Sequence, residues 1–309
     1  MARLAFVVVL LLVLSCSPEQ SPTAAVAPSP QSRLAAQTTI GCSGTFDIEV
    51  VILPGERRLG ETELALIDLA ATRWESIITD DVPDMSFVRD NVNEYSPFLE
   101  SQIQINDWVD DLRIFIRVKT LSGGLGGATW VSWIRTDSSL PIIAEIAIDP
   151  SQLEADWVNQ GYFYKLVLHE MGHALGFGAS FLELNLVQSF NVRGLEFSLF
   201  IGRSSRWSYL DLLGPTNEDP NVKVPLAADK VHWDPLTFGD ELMIKGWVSP
   251  YDTPISQMTV SAMRDIGYQV NSWAADERYV LPQNQAAKPA LLPSGNTICH
   301  VEQKLPRRR

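Results

Sequence analysis

The chain has 309 residues, of which 46% are hydrophobic and 20% are charged, and its formal net charge is −13. This is the composition of a globular protein, and the length suits one large domain or two lobes. The acidic residues are scattered, and the sequence has no basic stripe of the kind that nucleic-acid binding requires, so we expect no nucleic-acid partner.

The first residues predict export. Arg3 precedes an unbroken apolar run of ten residues, 5–14, whereas a membrane-spanning helix needs about 20. The run therefore predicts a signal peptide over residues 1–15. Cys16 follows in the setting of a bacterial lipobox, so we expect a lipid on its thiol. The protein would then be an outer-membrane or cell-surface lipoprotein, held to the membrane by this anchor only, and plain secretion is the alternative.

The segment after the signal peptide predicts a tether. Residues 16–38 are rich in Pro, Ser and Ala and poor in large apolar side chains, so they cannot bury enough surface to fold. Cys42 and Cys299 then stand near the two ends of the folded part. Because an exported protein reaches an oxidising compartment, we expect a disulfide between them, with two free thiols as the alternative.

The body of the chain alternates strand-like and helix-like segments. Apolar and β-branched runs predict strands over residues 45–53, 85–89, 112–118, 129–134 and 142–148. Apolar residues at helical spacing predict helices over residues 61–79, 163–175 and 256–266. This order predicts an α/β fold of the α+β kind, with a mixed sheet in an N-terminal lobe, residues 39–178. Residues 179–299 predict a loop-rich C-terminal lobe, and residues 300–309 a tail.

One motif predicts a metal-binding and catalytic site: HEMGH at residues 169–173 has the form HExxH. Its histidines, His169 and His173, are four positions apart and project from the same face of a helix, so both can bind one tetrahedral zinc ion. Glu170 is the candidate general base, since zinc lowers the pKa of a bound water to about 7. The apolar flanks favour a metal, because histidines buried in an apolar helix need partners. Gly176 stands where the helix should end.

A catalytic zinc ion has three protein ligands and one open position, so a third ligand is required. The compact pattern HExxHxxGxxH would place a histidine at position 179, which is Ala179. Of the remaining histidines, His300 lies in the tail and fits a surface residue, whereas His232 lies in the segment VHWDP. Glu183 and Glu196 are the candidates if the third ligand is a glutamate, as in gluzincins.

The sequence HEMGHALGFG is followed by a long insertion, then HW, then ELM, then PISQMTVSAMRDIGYQVN. These segments resemble the leishmanolysin family of metzincins and its bacterial relatives. The resemblance implies a metzincin-like zincin with one catalytic zinc ion between the lobes, bound by the two HExxH histidines and His232. It also implies that Met243 forms a turn beneath the metal and that Gly176 turns the chain out of the helix.

The resulting expectation is an exported zinc metalloendopeptidase that hydrolyses protein or peptide substrates. In metzincins an edge strand binds the substrate in extended form, and residues 129–134 are the candidate for that strand. The second hypothesis is a non-catalytic surface lipoprotein with a structural zinc ion. Structural zinc sites usually have four protein ligands, and the presence of Glu170 favours catalysis.

Overall fold

The structure, a computed structural model, describes residues 44–89, 103–215, 219, 221–246, 253–282, 299–301 and 307–308. The predicted signal peptide, the lipidation site Cys16, the tether and Cys42 lie outside the described residues. Cys299 is described by its main chain only, so the predicted disulfide stays a prediction. Within the described part, no helix is long and apolar enough to cross a membrane.

Strands and helices alternate in the first half of the chain and mix with longer loops in the second. The strands are β1 Ile48–Ile52, β2 Met85–Arg89, β3 Ile105–Val109, β4 Leu112–Val118, β5 Gly127–Ile134, β6 Pro141–Ile148, β7 Val187–Val192, β8 Leu195–Phe200, β9 Val224–Leu226, β10 Cys299–Val301 and β11 Arg307–Arg308. The helices are α1 Glu61–Glu75, α2 Ala155–Asn159, α3 Tyr162–Ala174, α4 Ala179–Glu183, α5 Arg203–Leu213, α6 Pro235–Phe238 and α7 Gln257–Asp265.

The first half is built on a mixed sheet with strand order β1-β4-β6-β5. β1, β4 and β6 run parallel, while β5 is antiparallel to β6. Every residue of β5 and β6 is buried, because α1 and α3 cover one face of the sheet and the β2–β3 hairpin covers the other. A strand covered on both faces is expected to be apolar along its length. β6 is apolar except for Glu145, which accepts a hydrogen bond from the hydroxyl of Ser132 in β5. The predicted mixed α/β fold is confirmed.

β5 has neighbours on its far side as well. β10 and β11 pair with it in parallel, with Val301 opposite Thr129 and Arg307 opposite Trp133. The expectation that residues 129–134 form a free edge strand is therefore wrong. Strands of three and two residues are too short to leave a hydrophobic period in the sequence, so the tail gives no local sign of pairing.

The second half holds more regular structure than the loop-rich lobe that the sequence predicts. β7 and β8 form a hairpin, and its turn residues Arg193 and Gly194 have positive φ angles of 54° and 86°, which matches the twist of hairpin strands. Asp265 of α7 accepts hydrogen bonds from the main-chain N–H groups of Ser204 and Ser205, at 2.7 and 2.8 Å. These bonds cap α5 from a neighbouring helix and tie the two helices together.

Trp233 links the two halves of the fold. It is fully buried, and its ring lies 5.0 Å from that of Phe177, just after α3, and 5.5 Å from that of Phe200 in β8. Its indole N–H donates to the Thr259 hydroxyl of α7 at 2.8 Å. Aromatic pairs of this kind contribute about 0.5–1.5 kcal/mol each beyond their buried area. Trp233 therefore fixes the adjacent His232 relative to the end of α3.

Candidate metal centre

Two candidate ligands lie on α3, which is buried along almost its whole length. Gly161, with φ of 80°, precedes its first residue. Gly176, with φ of 101°, follows its end in the positive-φ conformation that terminates many helices. The helix bounds differ from the predicted 163–175 by one residue at each end. His169 and His173 consequently project from one face of this helix, one turn apart.

The third histidine, His232, lies beside the other two. Nε2 of His173 lies 3.1 Å from Nε2 of His169 and 3.1 Å from Nε2 of His232. A tetrahedral zinc ion with Zn–N bonds of about 2.0–2.1 Å separates its nitrogen ligands by about 3.3 Å. These two distances are close to that value, and ligand atoms of all three histidines lie within 4.8 Å of one another, so the triad could bind a metal ion. His232 arrives there from 59 positions further along the chain.

The alternative ligands do not join this cluster. Among the described residues, the buried group whose ligand atoms lie within 4.8 Å of one another consists of the three histidines. Glu196 of β8 is 58% exposed, and its carboxylate pairs with Nζ of Lys230 at 2.6 Å. Glu183 ends α4 and is likewise not a member of the group. The geometry gives no support to a glutamate as third ligand.

Each histidine ring is held through its other nitrogen. The oxygen atoms that face Nδ1 are Leu242 O at 2.7 Å for His169, Phe177 O at 2.9 Å for His173, and Asp229 Oδ2 at 3.1 Å for His232. An oxygen acceptor at this position requires the proton to be on Nδ1. In each ring Nε2 then carries the lone pair with which a histidine binds a metal ion.

Burial keeps the helix histidines neutral. Desolvation, aided by the neighbouring His232, lowers the pKa of His169 to about 3. Desolvation and the two other histidines also lower the pKa of His173 well below its ordinary value. Since a metal binds the deprotonated ring nitrogen, these two residues would need to lose no proton at neutral pH in order to bind a metal ion.

Glu170 is fully buried between α3 and β5. The hydroxyl of Thr129 donates to its Oε2 at 2.5 Å and to its main-chain oxygen at 3.1 Å. Gly127 leaves room for the carboxylate, because a Cβ at this position would lie only 2.6 Å from Oε1. The candidate base is therefore oriented by one hydroxyl and one glycine of the strand beside α3.

Met243 packs against the HExxH helix itself. It is fully buried, and a Cβ placed on Gly172 would lie 2.8 Å from its sulfur and 2.9 Å from Cζ2 of Trp74. The indole N–H of Trp74 donates to the main-chain oxygen of Leu168 at 2.8 Å. The glycine within HEMGH thus permits a methionine and a tryptophan to touch the helix backbone between the two histidines.

A buried carboxylate connects the ELM segment to α7. Glu241 accepts from the main-chain N–H of Met243 at 2.5 Å, and from the N–H and hydroxyl of Ser256 at 3.1 and 2.8 Å. The hydroxyl of Thr259 donates to it as well, at 2.5 Å. Desolvation raises the pKa of Glu241, while these four bonds lower it in part. The chain segments ELM and PISQMT therefore meet at one side chain.

Sequence reasoning missed Thr129, Asp229 and Glu241. Glu241 has a signal, since it is the first residue of the ELM segment, although the resemblance implies a role only for the methionine. Asp229 also has one, because an acidic residue three positions before a ligand histidine can accept from its ring. Thr129 has none, since its contact with Glu170 depends on how β5 packs against α3.

Comparison of the chain with protein-family models gave no match, and comparison with curated proteins gave none either. The structure itself shows a mixed α/β fold in which a triad of buried histidines, His169, His173 and His232, could bind a metal ion.

Proposed function

We propose that this chain is an exported zinc metalloendopeptidase of the metzincin type, similar to leishmanolysins. The observation that carries the proposal is that Nε2 of His173 lies 3.1 Å from Nε2 of both His169 and His232, in a buried triad whose helix also carries the fully buried Glu170. Three protein ligands leave one tetrahedral position open, which is the mark of a catalytic rather than a structural zinc site. This arrangement favours an enzyme over a zinc-stabilised binding protein.

The chemistry divides between the ion and the chain. Zinc bound at the three histidines would polarise the peptide carbonyl and acidify water. Glu170 accepts a proton on its carboxylate as the nucleophile forms, and returns that proton to the leaving amine. Thr129 orients this carboxylate through its hydroxyl. The burial of Glu170 keeps bulk water from competing for the proton.

Several contacts support the metzincin type. Met243 lies against α3 at Gly172, as expected of a methionine turn beneath the metal. Gly176 ends the helix with positive φ. The β7–β8 hairpin and α5 occupy the insertion between His173 and His232, in accordance with a third ligand displaced from the helix. Lipidation of Cys16 and the Cys42–Cys299 disulfide belong to the same proposal and rest on the sequence.

The substrate in this proposal is a protein or peptide, whose scissile carbonyl would lie within reach of Glu170. The outer side of β5 is paired with β10 and β11, so this strand does not offer its main chain to a substrate.

The test is cleavage of a denatured, unstructured protein by the purified chain, with Glu170→Gln as the matched variant. Glutamine has nearly the same size, and it keeps an oxygen to accept from Thr129, but it cannot take a proton. We expect cleavage by the wild type, none above background by the variant, and equal zinc content in both. An inactive wild type that binds zinc would refute the peptidase and favour a zinc-binding surface lipoprotein.

A further inference from the structure

The three histidines differ in the groups that orient their rings. His169 and His173 are fixed by the α3 backbone, and their Nδ1 atoms face main-chain oxygens of Leu242 and Phe177, which no side-chain substitution removes. His232 lies outside regular secondary structure, in a turn where Lys230 has a φ of 68°. Its Nδ1 faces a side chain, the carboxylate of Asp229. Of the three Nδ1 contacts, the contact of His232 is thus the one that a side-chain substitution in its partner can remove.

Asp229 is itself held on both oxygens. Its Oδ1 accepts from the main-chain N–H of Val231 at 3.3 Å, which closes a short turn within the segment that carries His232. Its Oδ2 faces the His232 ring at 3.1 Å and Nζ of Lys245 at 3.2 Å. Lys245 comes two residues after Met243, so this ion pair joins the turn of the third histidine to the segment beneath the helix.

We propose that Asp229 is the positioning residue of His232: it keeps the ring turned with Nε2 toward the other two histidines and keeps the proton on Nδ1. An ionised carboxylate can only accept, so it permits one tautomer of the ring. An asparagine at the same place can turn its amide and donate instead, which would favour a proton on Nε2 and block the metal. The proposal rests on zinc binding at the triad, and therefore on the proposed function.

The expected size of the effect follows from the general behaviour of such contacts. Replacement of the group that orients a metal-bound histidine typically lowers metal affinity about 10–100-fold. We therefore expect Asp229→Asn to weaken zinc binding by a factor in this range, with part of the affinity restored in Asp229→Glu. Lys245 is 45% exposed at its side chain, so Lys245→Met should have a smaller effect.

The experiment measures zinc affinity of the full chain by competition with a chromophoric chelator, without recourse to activity. The matched control is Asp234→Asn, two residues beyond His232, whose carboxylate caps α6 through Thr237 instead of meeting a histidine. We expect Asp229→Asn to bind zinc about 10–100-fold more weakly and Asp234→Asn to stay within about twofold. The cobalt-substituted Asp229→Asn protein should also show a changed visible absorption spectrum, since one nitrogen ligand is displaced.

A double-mutant cycle separates positioning from general damage. If Asp229 acts through His232, then Asp229→Asn should have little further effect on zinc affinity when His232 is already alanine. An equal loss in both backgrounds, or a wild-type affinity and cobalt spectrum in Asp229→Asn, would overturn the proposal. A wild-type protein that cleaves nothing, with the Asp229 effect on zinc intact, would refute the peptidase and leave the positioning role standing.

Discussion

The contact between Met243 and the HExxH helix gives a sharp prediction for Gly172→Ala. A methyl group at this position would lie 2.8 Å from the Met243 sulfur and 2.9 Å from Cζ2 of Trp74, whereas nonbonded carbon atoms prefer about 3.5–4.0 Å. Trp74 cannot shift easily, because its indole is bonded to the main chain of Leu168. The Met243 sulfur is on a flexible side chain, but both side chains are fully buried, so a shift of either displaces other core atoms.

Two opposing free energies decide the result. Alanine is a better helix former than glycine by about 1 kcal/mol, whereas an extra methyl in a full core costs about 1–3 kcal/mol. Because both neighbours are fully buried, we take the upper part of that range and expect a net loss of about 1–2 kcal/mol. For a domain of this size, the melting temperature should fall by about 2–8 °C. Zinc affinity should fall too, since the methyl lies between His169 and His173.

The assay is thermal unfolding and zinc competition on Gly172→Ala, Met243→Ala and the double variant. In the double variant the sulfur is absent, so the added methyl group has more room. The losses of stability in the two single variants should therefore add up to about 1 kcal/mol more than the loss in the double variant. The control is Gly194→Ala, at a hairpin turn with φ of 86° and no atom within 4 Å of the added Cβ. It should lose stability by about 1–2 kcal/mol and keep its zinc affinity. A Gly172→Ala protein more stable than wild type would refute the packing argument.

Four further predictions concern the metal centre. Glu170→Gln should keep zinc and lose about 10²–10⁴-fold in kcat, and loss of its zinc would contradict the role of general base. His232→Ala should bind zinc far more weakly, and an unchanged affinity would remove His232 from the ligand set. Thr129→Val should lower kcat and leave KM nearly unchanged, because it removes the hydroxyl that orients Glu170. Thr129→Ser keeps the hydroxyl and should have a kcat near that of the wild type, so an equal kcat in the two variants would contradict this role. The pKa of His169 is about 3 in the folded protein, against an ordinary value of 6.5, so the unfolded chain binds more protons between these values. His169 should therefore make the metal-free protein less stable as the pH falls below about 6.5, while Asp111, whose pKa burial raises to about 7, acts in the opposite sense. Denaturant unfolding of the wild type and of His169→Gln isolates the contribution of the histidine, and an equal pH dependence of the two from 7 to 4 would refute this.

The sequence predicts those parts of the fold that depend on local pattern. The apolar run of β6 and the helix ending at Gly176 are encoded within a few neighbouring residues, so their predicted bounds lie within one or two positions of the observed ones. The HExxH spacing likewise fixes two ligands through helix geometry alone. The hairpin β7–β8 is not predicted, although Arg193-Gly194 is flanked by alternating side chains, because the insertion as a whole has the composition of a loop-rich segment.

The remaining features depend on contacts between distant segments. Thr129 meets Glu170 across 41 positions, and neither residue indicates the other in sequence. Pairing of the tail with β5 joins Val301 to Thr129, and such pairings follow from the closed fold rather than from local propensity. The role of His232 is implied by a resemblance, since no helical period links it to His169.

The separation of His232 from the helix sets the order in which the centre can assemble. Closure of a flexible loop of 59 residues costs about (3/2)RT ln n, or about 4 kcal/mol, so we expect His232 to reach the other two histidines only after the hairpin, α5 and the Trp233 packing have formed. A chain whose second half has not yet folded, or has unfolded, offers only His169 and His173 and would bind a metal ion weakly. In the proposed peptidase, activity would then be restricted to molecules that have completed folding, and a chain that is still unfolded would not cleave itself.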